Sequence, residues 1–280
     1  MTVRIVTDST ADLLPETAAE LNVSVVPLSV IFGEETLREG IDISHDLFYE
    51  RLVSSKDLPT TSAPSVGQFI ETYEDVLKES NDIVSIHLSS KLSVTRDNAF
   101  QAARHLSDSG ANIEVIDSTL LSAGIGFLVT AASRAAADGA TVEEIKTLVA
   151  GMIPRIHLFI IFDTLEYVRR GGRIGRARAF LGSVLKLKPI LAIREGEFVP
   201  EERVRTKKGV MEKLYQIATS YPNVVKYGIA YSTNAEDAEE FRQKLAAAVP
   251  GVEIDVSRIG PVLGVHGGPG VLGVGVLQGE

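Results

Sequence analysis

Three times before residue 120 an apolar, strand-like run ends in a turn dense with hydroxyls. Residues 3–7 lead into Asp8-Ser9-Thr10, residues 83–88 into Ser89-Ser90, and residues 113–116 into Asp117-Ser118-Thr119. Helical stretches lie between them, and strands separated by helices indicate crossover units and a largely parallel sheet. In such a sheet, ligands bind outside the carboxyl ends of the strands, where the strand order reverses. The three turns therefore predict a site rich in small hydrogen-bonding groups. Asp and Ser at a strand end are also good helix N-caps, and for Asp8 and Asp117 capping is the plainer role.

Periodicity fills in the rest. A short helix is expected over 16–21, an extended segment over 23–32, and a helix with Leu47, Phe48 and Leu52 capped by Ser44. Ser65-x-x-Gln68 has the form of a capping box. The helix it opens has Phe69, Tyr73, Val76 and Leu77 on one face, and Thr141-x-x-Glu144 opens another. A change of rhythm at 151–155 divides the chain into two α/β domains, 1–153 and 154–280. The first carries a mostly parallel sheet with flanking helices. The second mixes a strand at 158–162, a helix ending at Gly171, and a helix around 177–185. A hairpin follows, joining 189–194 to 197–199 through Glu195-Gly196. Helices at 207–219 and 235–249 and strands at 227–231, 252–256 and 271–277 complete a mixed sheet.

A net charge of −9 argues against a general nucleic-acid binder, which needs concentrated positive charge. With no cysteine, disulfides and thiolate chemistry are excluded. No apolar run approaches the ~20 residues needed to cross a bilayer, so no stable membrane insertion is expected. The start shows no basic stretch followed by an apolar one, so a cytoplasmic setting is expected rather than a secretory leader. His-x-x-x-His, Glu-rich histidine clusters and Asp-x-Asp-x-Asp-Gly are missing, so no metal site is expected.

Four motifs could carry chemistry. Thr60-Thr61-Ser62-Ala63-Pro64-Ser65 offers four hydroxyls before a helix. One cap suffices for that helix, so Thr61 is either a ligand contact or a solvated loop hydroxyl. Ser89-Ser90-Lys91-Leu92-Ser93 follows a strand but lacks the Gly-x-Ser-x-Gly elbow. His87 falls in a strand and His105 in a helix, so neither supplies an evident base, and Ser93 reads as a donor rather than a nucleophile. Arg169, Arg170, Arg173, Arg176 and Arg178 crowd an otherwise acidic chain. Arginine's planar fork suits carboxylate or phosphate, although cations also suit a helix C-terminus, with Gly171 as its cap. Finally, His266 lies in a glycine-dense turn from Ile259 to Gly270 that is neither a Walker loop nor Gly-x-Gly-x-x-Gly. Glycine permits close backbone approach to a ligand.

The order of these motifs, with Lys188-Pro189-Ile190 and Arg203-Val204-Arg205-Thr206 between the last two, resembles the DegV family over essentially the whole chain. The resemblance implies two α/β domains that bind a long-chain fatty acid such as palmitate, without enzymatic activity of their own and with no other cofactor. In FakB-like members a separate fatty acid kinase then phosphorylates the carboxylate. By the same resemblance, Thr61 and Ser93 hold the carboxylate, Ser62, Arg170 and His266 lie near it, and Arg173 and Arg176 are candidates for docking the kinase. The chain departs from the family at Val94-Thr95-Arg96-Asp97, at Gly267 and at Ala63, which bears on the head-group surroundings and chain preference. Physical reasoning agrees. At ~0.8 kcal/mol per methylene, burial of a sixteen-carbon chain contributes on the order of 10 kcal/mol before ordering and association costs. The head group then needs only to be satisfied. Two rivals remain: a serine-dependent acyl hydrolase or acyltransferase using Ser93 with His266, and a binder of phosphorylated metabolites through the arginine run.

Overall fold

The computed structural model describes residues 2–55, 57–180 and 187–279. From the amino end the chain forms β1 (Arg4–Asp8), α1 (Pro15–Glu20), β2 (Val23–Val26), β3 (Ser29–Phe32) and β4 (Glu35–Arg38). There follow α2 (His45–Ser54), β5 (Thr60–Ser62), α3 (Val66–Leu77), β6 (Asp82–His87) and α4 (Thr95–His105). β7 (Asn112–Asp117), α5 (Ala123–Ala137) and α6 (Val142–Met152) complete this half. β2, β1, β6 and β7 pair in that order, all parallel. The order reverses between β1 and β6, so the switch point lies where the Asp8 and Leu88 turns meet. Both capping boxes form as the sequence expects, at Ser65 with Gln68 and at Thr141 with Glu144, and Ser44 caps α2.

Three expectations are refined by the structure. The segment 23–32 is extended as expected but forms two strands: Pro27 interrupts it, and β3 joins β4 and β5 in a separate antiparallel sheet. The 60–62 hydroxyls, read as loop, form its third strand, with Thr61 level with Val30. Nor are the strand-end aspartates both helix caps. Asp8 caps only a single 3-10 turn, and its other oxygen crosses to His87 Nδ1 (2.9 Å) and Leu88 N (3.1 Å) on the neighbouring strand. Asp117 accepts from Thr119 N and Ser90 N, while α5 begins after Ser122.

The second half contains β8 (Ile156–Ile161), α7 (Glu166–Arg170), β9 (Lys188–Arg194), β10 (Glu197–Val204), α8 (Lys207–Thr219) and β11 (Val224–Tyr231). It ends with α9 (Ala235–Ala248), β12 (Glu253–Arg258), α10 (Pro261–Gly267) and β13 (Leu272–Gln278). The strands pair in the order β10-β9-β8-β13-β11-β12, and only β11 with β12 is parallel. The hairpin turn at Glu195-Gly196 takes positive φ at both positions, 52° and 84°, as a tight primed turn requires. The helix expected around 177–185 lies partly outside the described residues; its described part belongs to a 3-10 helix, Gly175–Phe180. α7 ends at Arg170 with Gly171 as its C-cap, as expected, and the left-handed residue that turns the chain is the next one, Gly172 (φ 74°). The glycine-dense turn around His266 is a short helix, α10, started by Pro261.

Strand alternation divides the apolar residues between two layers. Phe159, Ile229, Val274 and Val276 face α8 and α9, where they meet Leu214 and Phe241. The opposite face of the same sheet, with Leu158, Ile160, Leu191 and Ile193, shares one core with Ile5, Ile86, Ile125 and Leu128 of the first half. The two α/β domains are therefore joined through a common apolar interior across α5.

Candidate functional site

Within that shared interior is a cavity of about 480 Å³, inside the roughly 300–1,000 Å³ range of small-molecule sites. Leu88, Leu121, Ile160, Phe162 and Phe198 contribute apolar walls, and Thr61, Ser93, Arg173 and His266 supply polar groups. Each polar group comes from a different element, and each has a local reason for its position. Thr61 is fixed by β5 pairing with β3. Ser93 sits in the turn before α4; its N–H donates to Ser89 O (3.1 Å), and its oxygen accepts from Thr95 N (3.3 Å). Its hydroxyl is also 2.9 Å from Thr95 Oγ1.

His266 arrives on the last turn of α10. Gly260 N donates to Asp12 Oδ1 and Val262 N to Glu39 Oε1, both at 2.9 Å, so two carboxyls of the first domain hold the start of that helix. Burial pushes Asp12 up to about 8 and Glu39 up to about 7. At the other end, His266 Nε2 lies 2.9 Å from Thr61 Oγ1. Nδ1 is buried without a protein partner among the described residues. Burial first, and then the Arg173 guanidinium, holds the imidazole down at about 4, so it is neutral at physiological pH. Gly171 leaves the space the ring occupies: a Cβ there would lie 2.2 Å from Nδ1.

Arg173 joins the two sides of the opening. Its Nε donates to Leu92 O (3.1 Å) and its NH1 to Gly171 O (2.6 Å). Arg170, expected at the head group, does not line the cavity. Its side chain is 59% exposed and its Nε binds Glu166 Oε1 at 2.6 Å. The chain reverses at Gly172, so that Arg173, though exposed, borders the cavity while Arg170 stays on α7 with Glu166. Ser62 is not a lining residue either; it pairs with Ser29 in the small sheet. Arg176 is exposed, 3.8 Å from Glu195 and 3.9 Å from Glu197. Of the family departures, Val94 lines the cavity at its exposed side and Gly267 lines it within α10, whereas Arg96 stacks on Phe100 and pairs with Asp97.

Among the described residues the site has no assembled nucleophile relay. The hydrogen-bond partner of His266 is Thr61, that of Ser93 is Thr95, and no carboxylate holds Nδ1. A relay-like chain does exist elsewhere: Tyr73 OH to Ser85 Oγ (2.8 Å), Ser85 Oγ to His87 Nε2 (2.7 Å), His87 Nδ1 to Asp8 Oδ2 (2.9 Å). All four side chains are sealed in the first domain, with no exposure, and none lines the cavity. It is a structural network that ties β1 to β6 and α3.

The sequence model of the DegV family, described as an uncharacterised protein family, matches residues 2–279. The chain belongs to the DegV family. A DegV domain-containing protein of Halalkalibacterium halodurans is 38% identical over 278 residues, 97% of either chain. Protein DegV of Bacillus subtilis is 35% identical over 280 residues, 98% of either. Among solved structures, a fatty-acid-binding DegV family protein of Thermus thermophilus superposes with TM-score 0.93 at 30% identity, covering 99% of this chain and 100% of that one. DegV of B. subtilis, described as a fatty acid binding protein, gives 0.91 at 32% identity over 99% and 100%. A stearic-acid-binding protein of Eubacterium ventriosum gives 0.91 at 28% identity over 99% and 98%. Among the described residues of this DegV-family chain no helix is long and apolar enough to cross a membrane.

Proposed function

We propose that this chain binds a long-chain fatty acid in the cavity between its domains, the carboxylate resting among Thr61, Ser93, His266 and Arg173. One observation carries the reading: an apolar cavity on which two hydroxyls, a neutral imidazole and a guanidinium converge, with Ser90, Lys91 and Ser122 as further polar lining. Hydroxyls satisfy a carboxylate without leaving a buried charge when the site is empty. Arg173, anchored to two carbonyls, adds charge assistance. The fatty-acid-binding relatives support the same ligand class. The chain acts as a carrier that presents the carboxylate to a separate kinase for acyl phosphate formation. That step is supported by the missing nucleotide-binding motifs in the sequence, and by the exposed arginines Arg170 and Arg176 on either side of Arg173 in the chain.

Denaturing extraction and mass spectrometry of the purified protein test the ligand. A fatty acid near stoichiometric amount is expected. Thr61→Val and Ser93→Ala should each weaken rebinding of palmitate by about tenfold or more, the scale of one hydrogen bond to a charged group. Protein that is empty as isolated and binds neither palmitate nor oleate after delipidation refutes the reading.

A further inference from the structure

β13 alternates Gly273, Val274, Gly275 and Val276, with its valines buried under α8 and α9. Its glycines, together with Gly228 of β11, line the cavity on the opposite face. None of these three glycines has a left-handed backbone, so conformation does not demand them. A glycine inside a strand weakens it and marks a close approach by a ligand or another segment. The register sets them in rows: Gly275 is level with Leu158 and Gly228, and Gly273 with Ile160 and Ala230.

The two rows differ in what stands above them. A Cβ on Gly273 would meet only ordinary contacts, its nearest neighbour being Ile160 Cγ1 at 3.4 Å. A Cβ on Gly275 would fall 3.2 Å from the Phe127 ring, and one on Gly228 2.7 Å from Ala123 Cβ and 3.0 Å from Phe127. At that row α5 rests directly on the sheet. The head-group end lies the other way along the strands, since Phe162 follows β8 and Val271 precedes β13. From the Ile161–Leu272 row to the Leu158–Gly275 row is three residues, or ~10 Å at the usual strand rise. Beyond the contact is a second cleft of about 410 Å³, lined by the same Ala123, Phe127 and Gly228.

Resting on the fatty-acid reading above, we propose that the seat of Ala123 and Phe127 on Gly228 and Gly275 is the floor that limits acyl chain length, with Gly273 keeping the last stretch before it open. The methyl end of a chain that fits stops at this seat. A longer chain has to displace α5 or leave methylenes outside. The contact thus gives the site its upper length limit.

The test measures affinities of delipidated protein for saturated fatty acids from twelve to twenty carbons. Each methylene taken up adds about fourfold in affinity, so the wild-type series should climb at that rate and then break. In Gly273→Ala the break should move to shorter chains, because the added methyl enters the cavity and meets no close neighbour. In Phe127→Ala it should move to longer ones, as the chain gains the second cleft. Circular dichroism melting verifies that each variant is folded, and Gly273→Ala decides the question if Phe127→Ala is not. A folded Gly273→Ala protein whose break stays at the wild-type length overturns the floor while leaving fatty-acid binding intact. A wild-type protein that binds no member of the series overturns both.

Discussion

His266 has its charge set by its surroundings, and that gives a residue-scale prediction. Burial and Arg173 hold its pKa near 4 in the folded chain, below the ordinary 6.5. A group with a depressed folded pKa stabilises the fold above its unfolded value and loses that contribution as pH falls through the folded one. A carboxylate brought beside it adds the opposite charge and reverses part of the shift, by about one unit or more at contact distance. NMR titration of the His266 ring should therefore give a higher pKa in lipid-loaded than in lipid-free protein; identical values would place the carboxylate elsewhere. A second prediction concerns the sealed network. Asp8→Ala strips partners from His87, Thr10 and Leu88 at once and should destabilise the fold by about 3 kcal/mol in urea titration. It should leave lipid affinity per folded molecule close to unchanged, because Asp8, Thr10 and His87 do not line the cavity and Leu88, which does, loses only a contact of its backbone N–H.

At the scale of elements, α10 is the part most exposed to perturbation. Its packing is tight: a Cβ on Gly264 would meet Phe48 at 2.5 Å and the Tyr49 hydroxyl at 2.8 Å. Gly264→Ala should cost about 1–3 kcal/mol by overpacking and also weaken lipid binding by displacing His266, readable as a lower melting temperature together with a raised Kd. Its start depends on protons. The raised pKa values of Asp12 and Glu39 mean that their contribution is fully present below about 4, where both are protonated even when unfolded. It is lost as pH rises through about 7 and 8. From pH 6.5 to 8, where the folded His266 is neutral and its unfolded form sheds only its last half proton, a small opposing change, stability should fall by roughly 1–2 kcal/mol and then level off. Asp12→Asn, which keeps the acceptor for Gly260 N, should flatten that decline in denaturant titrations across the range.

α10 also marks where sequence reading stops. Both capping boxes and the Glu195-Gly196 hairpin are legible because each signal is local, a few residues satisfying one another. α10 is rich in glycine and poor in helix formers, and what holds it are Asp12 and Glu39, more than two hundred positions away in the chain. β5 is likewise unreadable, since three hydroxyl residues become a strand only by pairing with β3. Thr61, Ser93 and His266 were legible as candidates, and all three line the cavity. The choice between Arg170 and Arg173 was not, because it turns on the reversal at Gly172.

For the whole molecule, the decisive feature is the core that runs through both domains. Residues from both large sheets and from α5 and α6 share it, so the domains should melt together. Calorimetry is expected to show one transition, and two separated transitions would mean that the domains hold independent cores. Ligand at a hundredfold over its Kd adds about 2.7 kcal/mol, so delipidation should lower the melting temperature by several degrees.

The same continuity bears on kinetics. The acyl chain proposed for this cavity would have walls from both domains around it, and drawing it out past Val94 and Arg173 would expose apolar surface that otherwise stays dry. Release of an acyl chain should thus be slow and steeply temperature-dependent, resembling local unfolding more than diffusion from an open groove.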